Sequence, residues 1–395
     1  MKAERIVFFS LLCVCLLGGL LTGERAFFLV LFIQLGILLL CIALSVWTVY
    51  NFSYVQTVDR EELVKGETLK LHLRIHNDMP YPFTMMRVHI SAITVQEDVS
   101  YCFALPAHGQ IEFNPHFSCV FSGRSEVGMS RVEIEDVFGL THLTFNMLRL
   151  PYYRKRPVLI YPRVHELSRL NAYALDEKNF SGTSFNQSGD GDHYAGVREY
   201  RQGDALKRIH WKISFRTQTL HTRTYEAATK SHCIVWLDPF LYGAEGEPAR
   251  VYADVLCEAA ATIAYHVLAG GRTVRLCRTD DPAGGLHAGS MKEFVRIHRF
   301  LALFEHESGQ GQQNACRACA DALSYDHGAG AAYLLTLGNA RLLSDFLQSA
   351  ALPPGGATVF AVNENGRRGV SNAGSIRSVT ARPGDNLVAV LEEML

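Results

Sequence analysis

Two long apolar runs open the chain. Residues 6–21 and 26–47 consist almost entirely of apolar side chains and glycine, and only four residues separate the two runs. A helix of about 20 apolar residues can cross a bilayer, because its backbone polar groups are then satisfied within the segment. We therefore predict a transmembrane helical hairpin over residues 1–50.

The basic residues around these runs bear on processing and orientation. Lys2 and Arg5 precede the first run, which is also the pattern of a cleaved signal peptide. No small-residue cleavage site closes that run and a second span follows at once, so the hairpin is favoured. Positive residues are more frequent before and after the hairpin than in its short loop, which carries Arg25 alone. The positive-inside rule then predicts a multi-pass protein of the cell membrane with its soluble domains in the cytoplasm.

The next hundred residues show a period of two. Residues 68–76 alternate apolar and polar side chains, which is typical of a strand with one buried face. Short runs of the same kind follow, separated by proline and glycine, at residues 85–93, 111–121, 130–134 and 158–161. The pattern predicts an all-β, immunoglobulin-like sandwich over residues 51–165, serving as a stalk or an interaction module.

The pattern changes again after residue 230. Residues 232–237 form a continuous apolar run, as in a strand that is buried on both faces of a parallel sheet. Residues 251–268 follow with helical periodicity. Strands are then predicted at 273–277, 333–337 and 357–362, and helices at 291–304, 315–323, 340–350 and 385–395. This alternation predicts a doubly wound α/β domain over residues 231–395, so that the chain is a multidomain protein.

Composition narrows the class of function. The chain has 38 basic and 39 acidic residues and a formal net charge of −1, so its surface as a whole does not attract nucleic acid. Its ten cysteines form no disulfide framework, which agrees with a cytoplasmic location. No sequence pattern indicates a cofactor, and we predict none.

The densest mixture of charged, aromatic and glycine residues lies within residues 166–230, which we interpret as a linker and signature segment. Asp204 follows Gly203 and precedes a helical pattern, so it is predicted to be the N-cap of a helix. On that helix Leu206, Ile209 and Ile213 would share one apolar face.

A second stripe of the predicted helix is basic. Arg208, Lys212 and Arg216 recur at every fourth position, with Trp211 beside them. Such a stripe suits a phosphate, a nucleic-acid backbone or the acidic side chains of a protein partner. The alternative is an internal network, in which nearby carboxylates neutralise these cations: Asp190, Asp192, Glu199, Asp204 and Glu226. The sequence leaves the two alternatives open.

A catalytic role would require groups that converge in one cleft. Asp204, His210 and Glu199 are the candidates for general acid–base work by a hydrolase or transferase. The carboxyl ends of the α/β strands are the other place where chemistry is expected, and there the chain offers Asp238 and Thr336. One Asp supplies a single hard ligand, so Asp238 is interpreted as a turn residue.

The signature segment resembles that of the domain-of-unknown-function family fifty-eight. The family pattern, G-x-R-E-Y-x-x-G-D-x-x-R-x-I-D/H-W-K-x-S/T-A-R, is matched by Gly196, Arg198, Glu199, Tyr200, Gly203, Asp204, Arg208, Ile209, His210, Trp211, Lys212, Ser214 and Arg216. The segments at residues 136–140 and 160–163 also resemble family motifs, and Phe215 stands where the family usually has Ala.

The resemblance implies a membrane-anchored protein whose last domain is similar to a von Willebrand factor A domain. It also implies a MoxR-type AAA ATPase as partner, with a role in the assembly or maturation of envelope proteins. The Mg²⁺ site of such domains needs serines and a second Asp that are missing around Asp238 and Thr336, so no metal is expected. We therefore predict a non-enzymatic interaction protein, with phosphate binding, nucleic-acid binding or hydrolysis as alternatives.

Overall fold

The structure is a computed structural model of the whole chain. It describes residues 3–92, 99–136, 138–150, 153–167, 193–201, 204, 206–226, 232–242, 246–281, 284–307, 317, 319–323, 328–348, 352–362, 369–382 and 384–394. The chain forms two compact units, Met1–Tyr161 and Pro162–Leu395.

The first unit begins with the two predicted apolar helices, α1 (Ala3–Thr22) and α2 (Arg25–Tyr50). A Cβ atom added at Gly18 would lie 3.0 Å from the Phe27 ring, so the glycine leaves room for the aromatic side chain of the neighbouring helix. Both helices are long and apolar enough to cross a membrane, and only 11% of the apolar segment of each helix is buried. The apolar helices are thus free to face lipid.

Two sheets follow in the same unit, and we call residues 52–161 the two-sheet body. The strands are β1 (Phe52–Val58), β2 (Glu62–Val64), β3 (Thr68–Asn77), β4 (Phe83–Ala92), β5 (Val99–Leu105), β6 (Gln110–Phe113), β7 (His116–Ser118), β8 (Gly123–Glu135), β9 (His142–Asn146) and β10 (Arg156–Tyr161). One sheet has the order β1-β3-β6 with β7 also paired to β3, and the other has the order β2-β10-β8-β4-β5 with β9 paired to β8.

Alternating side chains of these strands build one apolar core. In β3 the side chains of Leu69, Leu71, Leu73 and Ile75 are each at most 1% exposed, as the period of two predicts. Two local features differ from the prediction. The run at 111–121 is divided between β6 and β7, because Pro115 between them has no N–H for a ladder. The β2–β10 pair is parallel, whereas the strands of an immunoglobulin-like sandwich are antiparallel.

The second unit contains a hairpin and a larger sheet. The hairpin strands are β11 (His193–Glu199) and β12 (His221–Glu226), and the helix α3 (Trp211–Thr217) lies between them in the chain. The other strands are β13 (His232–Leu237), β14 (Thr273–Arg278), β15 (Leu286–Ala288), β16 (Ala329–Thr336), β17 (Ala357–Val362), β18 (Gly369–Ala373) and β19 (Ile376–Ala381). The other helices are α4 (Gly246–Ala269), α5 (Met291–Ala302), α6 (Ala340–Gln348) and α7 (Leu387–Met394).

The seven-stranded sheet has the order β15-β14-β13-β16-β17-β19-β18, and its five central strands are parallel. Apolar cores cover both faces. Val235 of β13 belongs to the core that includes α4 and α5, and Trp236 belongs to the opposite core with α6. The helix α4 is apolar enough to cross a membrane by composition, but 72% of its apolar segment is buried within this unit. Its apolar side chains therefore pack in the core that covers the sheet.

Five described strands of this unit are absent from the sequence-based prediction: β11, β12, β15, β18 and β19. β18 is exposed along its whole length, so its residues carry no apolar period, and β19 follows after the turn at Gly374. The helix predicted at 315–323 lies partly outside the described residues. The domain boundaries inferred from the sequence stay a prediction.

Candidate functional site

The signature segment is built on the β11–β12 hairpin. The two strands pair in antiparallel fashion from His193 with Glu226 to Glu199 with His221. Beyond the ladder, the Tyr200 N–H donates to the Leu220 carbonyl at 2.7 Å and the His210 N–H donates to the His221 carbonyl at 2.8 Å. Residues 200–220 therefore form an insertion that is attached to the hairpin at its open end.

Asp204 organises this insertion. Its carboxylate accepts two hydrogen bonds from the Arg198 guanidinium, at 2.7 and 2.9 Å. It also accepts the Arg201 N–H at 2.9 Å and the Thr222 hydroxyl at 3.3 Å. The Arg198 hydrogen bonds come first among the causes that lower the pKa of Asp204 to about 2. The carboxylate thus joins β11, β12 and the turn between them while it remains ionised.

The predicted helix beginning at Asp204 is wrong. Residues Leu206–Arg208 form one 3₁₀ turn, and α3 begins only at Trp211, with His210 as its N-cap through a 3.4 Å hydrogen bond from the Ile213 N–H to Nδ1. The reason is competition for the same groups. Asp204 is engaged by Arg198 and Arg201, and Ile209 forms a bridge with Thr222 that requires extended backbone.

This break also separates the predicted stripes. Ile209 is 3% exposed whereas Leu206 is 67% exposed, so they do not share one buried face. Arg208 ends the 3₁₀ turn, and its side chain lies outside the described part of the structure. Lys212 and Arg216 lie on α3 and are exposed. The three basic residues therefore do not follow one continuous helix.

A buried serine fixes the orientation of α3. The Ser214 hydroxyl donates to the His210 carbonyl at 3.1 Å and accepts the His221 N–H at 2.8 Å. Ser214 is 6% exposed, whereas Trp211 is 59% and Phe215 is 80% exposed. Since residues four apart lie on one side of a helix, the two aromatic side chains project together, away from the hairpin. We call Trp211, Lys212, Phe215 and Arg216 the α3 surface.

The other candidate residues are dispersed. Glu199 is exposed and Tyr200 is half-buried at the end of β11. Gly203, Asp190 and Asp192 lie outside the described residues. Asp204 and His210 both have structural roles, as hairpin link and helix cap, which weakens the acid–base alternative that pairs them with Glu199.

Asp238 and Thr336 come together at the carboxyl ends of β13 and β16. Asp238 is 2% exposed and accepts hydrogen bonds from the hydroxyls of Thr336 at 2.5 Å, Tyr242 at 2.7 Å and Thr279 at 3.2 Å, and from the Phe240 N–H at 3.2 Å. We call this group the Asp238 cage. Burial raises the pKa of the Asp238 carboxyl, although each of these donors acts to lower it.

The residues of the cage do not fit a magnesium ion. Both carboxylate oxygens already accept two hydrogen bonds from protein donors, and Mg²⁺ requires near-octahedral oxygen ligands with several waters. Within the described residues, no group of three or more His, Cys, Asp or Glu is arranged to hold a metal. The cage ties the ends of three neighbouring strands, β14, β13 and β16, at the position where open α/β sheets usually bind ligands.

Comparison with known proteins supports the relationship indicated by the signature. Residues 196–352 match the family model described as a protein of unknown function, DUF58. Residues 196–352 belong to the DUF58 family. The match begins in β11 and includes α3 and the strands β13 and β16, so the signature hairpin and the Asp238 cage both lie in the family region.

One similar protein and two solved structures add little about activity. An uncharacterized protein, YeaD, from Bacillus subtilis (strain 168) is 22% identical over 221 residues, which cover 54% of this chain and 54% of YeaD. The chain thus spans about half the length of this relative. A crystal structure of red sea bream transglutaminase is similar over 28% of this chain and 15% of its own, with 12% identity and a TM-score of 0.20. The Pseudomonas fluorescens alkylpurine DNA glycosylase AlkC, bound to DNA containing an abasic site analog, covers 24% of this chain and 30% of its own, with 16% identity and a TM-score of 0.17. Neither likeness carries an argument.

Proposed function

We propose that this DUF58 protein is a membrane-anchored, non-enzymatic interaction protein that binds a protein partner through the α3 surface. The observation that carries the proposal is the exposure of Trp211 and Phe215 side by side on a helix that Ser214 anchors to the hairpin. Large apolar side chains exposed on a rigid element, next to cations, are typical of protein interfaces.

The electrostatics of the segment support a division of roles. Arg198 and Asp204 neutralise each other inside the hairpin, and the pair therefore offers no charge to a partner. Lys212 and Arg216 lie outside that pair, on the exposed side of α3. The internal-network and docking-surface alternatives thus apply to different residues of the same segment. A partner that fits would present an apolar depression with a rim of carboxylates.

The family resemblance implies the identity of the partner. A MoxR-type AAA ATPase is the proposed partner, with a role in assembling or maturing envelope proteins. The helices α1 and α2 would hold the chain in the cell membrane, with the soluble units in the cytoplasm. In this proposal the two-sheet body is an immunoglobulin-like sandwich and residues 231–395 are a von Willebrand factor A-like domain.

The test is binding of the purified ATPase of the source organism to the full chain in nanodiscs. The double variants Trp211→Ala with Phe215→Ala, and Lys212→Glu with Arg216→Glu, are each expected to raise Kd at least tenfold. A matched control lies on α5, where Val295 is 62% exposed and Arg296 and Arg299 are exposed. Changing these three residues to Ala, Glu and Glu should leave Kd within twofold of wild type.

Two results would overturn the proposal. The α3 surface is not the docking site if both double variants bind as wild type does. The surface is structural if both variants melt many degrees lower, because exposed side chains contribute little to folding. The nucleic-acid alternative predicts instead that a single-stranded oligonucleotide binds with strong salt dependence and is released by Lys212→Glu with Arg216→Glu.

A further inference from the structure

The turn between β8 and β9 contacts both apolar helices of the first unit. This turn, Asp136 with residues 138–141, is called the β8–β9 turn below. The Arg5 side chain of α1 donates from Nε to the Gly139 carbonyl at 2.7 Å, and its guanidinium lies 3.5 Å from the Glu135 carboxylate. On α2, the Ser45 hydroxyl lies 3.5 Å from the Thr141 hydroxyl. The turn is thus attached to one defined level of each helix.

The two levels coincide when they are measured from the tip of the hairpin. Arg5 precedes the end of α1 at Thr22 by 17 residues, or about 26 Å at the rise of an α-helix. Ser45 follows the start of α2 at Arg25 by 20 residues, or about 30 Å. The hydrocarbon core of a bilayer is about 30 Å thick. When the hairpin spans a bilayer, with its tip at one boundary of the hydrocarbon core, the β8–β9 turn lies at the other boundary, on the side of the chain's amino terminus.

The turn presents one large apolar side chain at this level. Phe138 is 60% exposed, and hydrogen bonds join Asp136 to Gly139 and Thr141. Gly139 adopts a positive φ of 64°, its N–H donates to the Asp136 carbonyl at 3.0 Å, and the Asp136 carboxylate accepts the Thr141 N–H at 3.2 Å. A closed turn of this kind holds Phe138 outward and prevents it from folding back into the body.

Neighbouring residues of α2 have the composition of a membrane interface. Trp47 is 56% and Tyr50 is 83% exposed, in the last turn of the helix. Trp and Tyr concentrate at the boundary between headgroups and hydrocarbon, because their amphipathic rings suit the headgroup level. Phe138 adds an exposed apolar ring from the two-sheet body.

We propose that the β8–β9 turn is a third membrane contact, with Phe138 inserted into the lipid interface and Arg5 locking the turn to α1. The occupant of the exposed apolar surface at Phe138 is the bilayer itself, because the turn that carries Phe138 is attached to both apolar helices through Arg5 and Ser45. The contact would orient the two-sheet body on the membrane, in addition to its attachment to the two helices. The inference rests on the membrane anchoring in the proposed function.

The experiment places a fluorescent reporter at the proposed depth. The full chain is reconstituted into phosphatidylcholine vesicles that carry bromine either near the headgroups or near the bilayer centre. Phe138→Trp is introduced together with Trp47→Phe and Trp211→Phe, so that the only other tryptophan is Trp236, which is 1% exposed in the α/β core. A matched control introduces Leu148→Trp in the same background. Leu148 is 55% exposed and follows β9 in the chain. The length of that strand, about 17 Å, separates Leu148 from the turn.

Quenching by the shallow bromines is expected to be at least twofold greater for the Phe138→Trp variant than for the Leu148→Trp control. For the Phe138→Trp variant, the deep bromines should quench less than the shallow bromines do. Equal quenching of the two variants overturns the proposal. A third sample that keeps Trp47, with only Trp211→Phe changed, separates the two hypotheses. If Trp47 is quenched while the reporter at 138 is not, the helices are in the membrane and the turn is not. If neither is quenched, membrane anchoring itself has failed.

Discussion

Replacing Thr336 by Val tests whether the Asp238 cage holds the α/β unit together. Valine has nearly the shape of threonine, so the packing of this fully buried residue is kept. The hydroxyl donates to Asp238 at 2.5 Å and accepts the Gly338 N–H at 2.9 Å, and both bonds are lost. A hydrogen bond to a charged group contributes about 1.5–3 kcal/mol, and a buried N–H without a partner costs about 1–3 kcal/mol. Allowing for relaxation, we expect a loss of about 2–4 kcal/mol.

Thermal unfolding of the full chain in detergent measures this loss. Trp236 lies two residues before Asp238 and is 1% exposed, so its fluorescence reports on this sheet when Trp47→Phe and Trp211→Phe silence the other tryptophans. For a unit of roughly 200 residues, each kcal/mol lowers Tm by about 2–4 °C, which gives an expected decrease of about 4–16 °C. The control is Thr336→Ser, which keeps the hydroxyl and removes a methyl group at a cost of about 1 kcal/mol.

The order of the two variants decides between hydrogen bonding and packing. If Thr336→Ser is less stable than Thr336→Val, the methyl group matters more than the hydroxyl, and the reasoning about the cage is refuted. The pH dependence supplies a second check. The folded-state pKa of Asp238 is raised above its usual 3.8, so ionisation of this carboxyl costs stability as the pH rises through the folded value. Because Thr336 stabilises the ionised form, the difference between wild type and Thr336→Val should narrow as the pH falls from 8 toward 4.

Two further predictions concern other titrating groups. Asp204→Asn should increase amide exchange in β11 and β12 severalfold at pH 7, because it weakens the charge-assisted hydrogen bonds from Arg198. The folded pKa of Asp204 is lowered to about 2, so the wild-type advantage should be complete above pH 3.8 and should vanish as the pH falls through 2. Hydrogen exchange with mass spectrometry measures both effects. Burial, followed by the charge of Arg278, lowers the pKa of His306 to about 4. The folded state therefore disfavours protonation of His306, and wild type should lose several degrees of Tm as the pH falls from 6.5 to 4. A series of melting curves over this pH range should show that His306→Phe abolishes the loss.

The elements that the sequence predicted well are those whose pattern reflects a single environment. The helices α1 and α2 are apolar and largely exposed along their length, and β13 is buried on both faces, so each has an unbroken apolar run. β3 alternates because one face is core and the other solvent. Strand β18 has neither pattern, since an exposed edge strand is held by its backbone ladder with β19 and needs no apolar side chains.

The signature segment was harder because its contacts are non-local. Asp204 has the sequence neighbours of a helix cap, but its partners Arg198 and Thr222 belong to two strands that meet only in the folded hairpin. Thr222 and Ser214 were not singled out as site residues for the same reason. Ser214 lies in the family pattern as a small polar residue, and its place in that pattern was the available signal.

Charged residues that look equivalent in the sequence have different roles in the structure. A carboxylate that must link three elements needs fixed donors on every side, and Asp204 and Asp238 each have four. A residue that recognises a partner must instead remain unpaired until the partner arrives, which suits side chains exposed on a short, anchored helix. Substitutions at the two carboxylates should therefore change stability first and binding only as a consequence, whereas substitutions on the α3 surface should change binding alone. Measuring both quantities for the same set of variants distinguishes a docking surface from a scaffold more sharply than either measurement by itself.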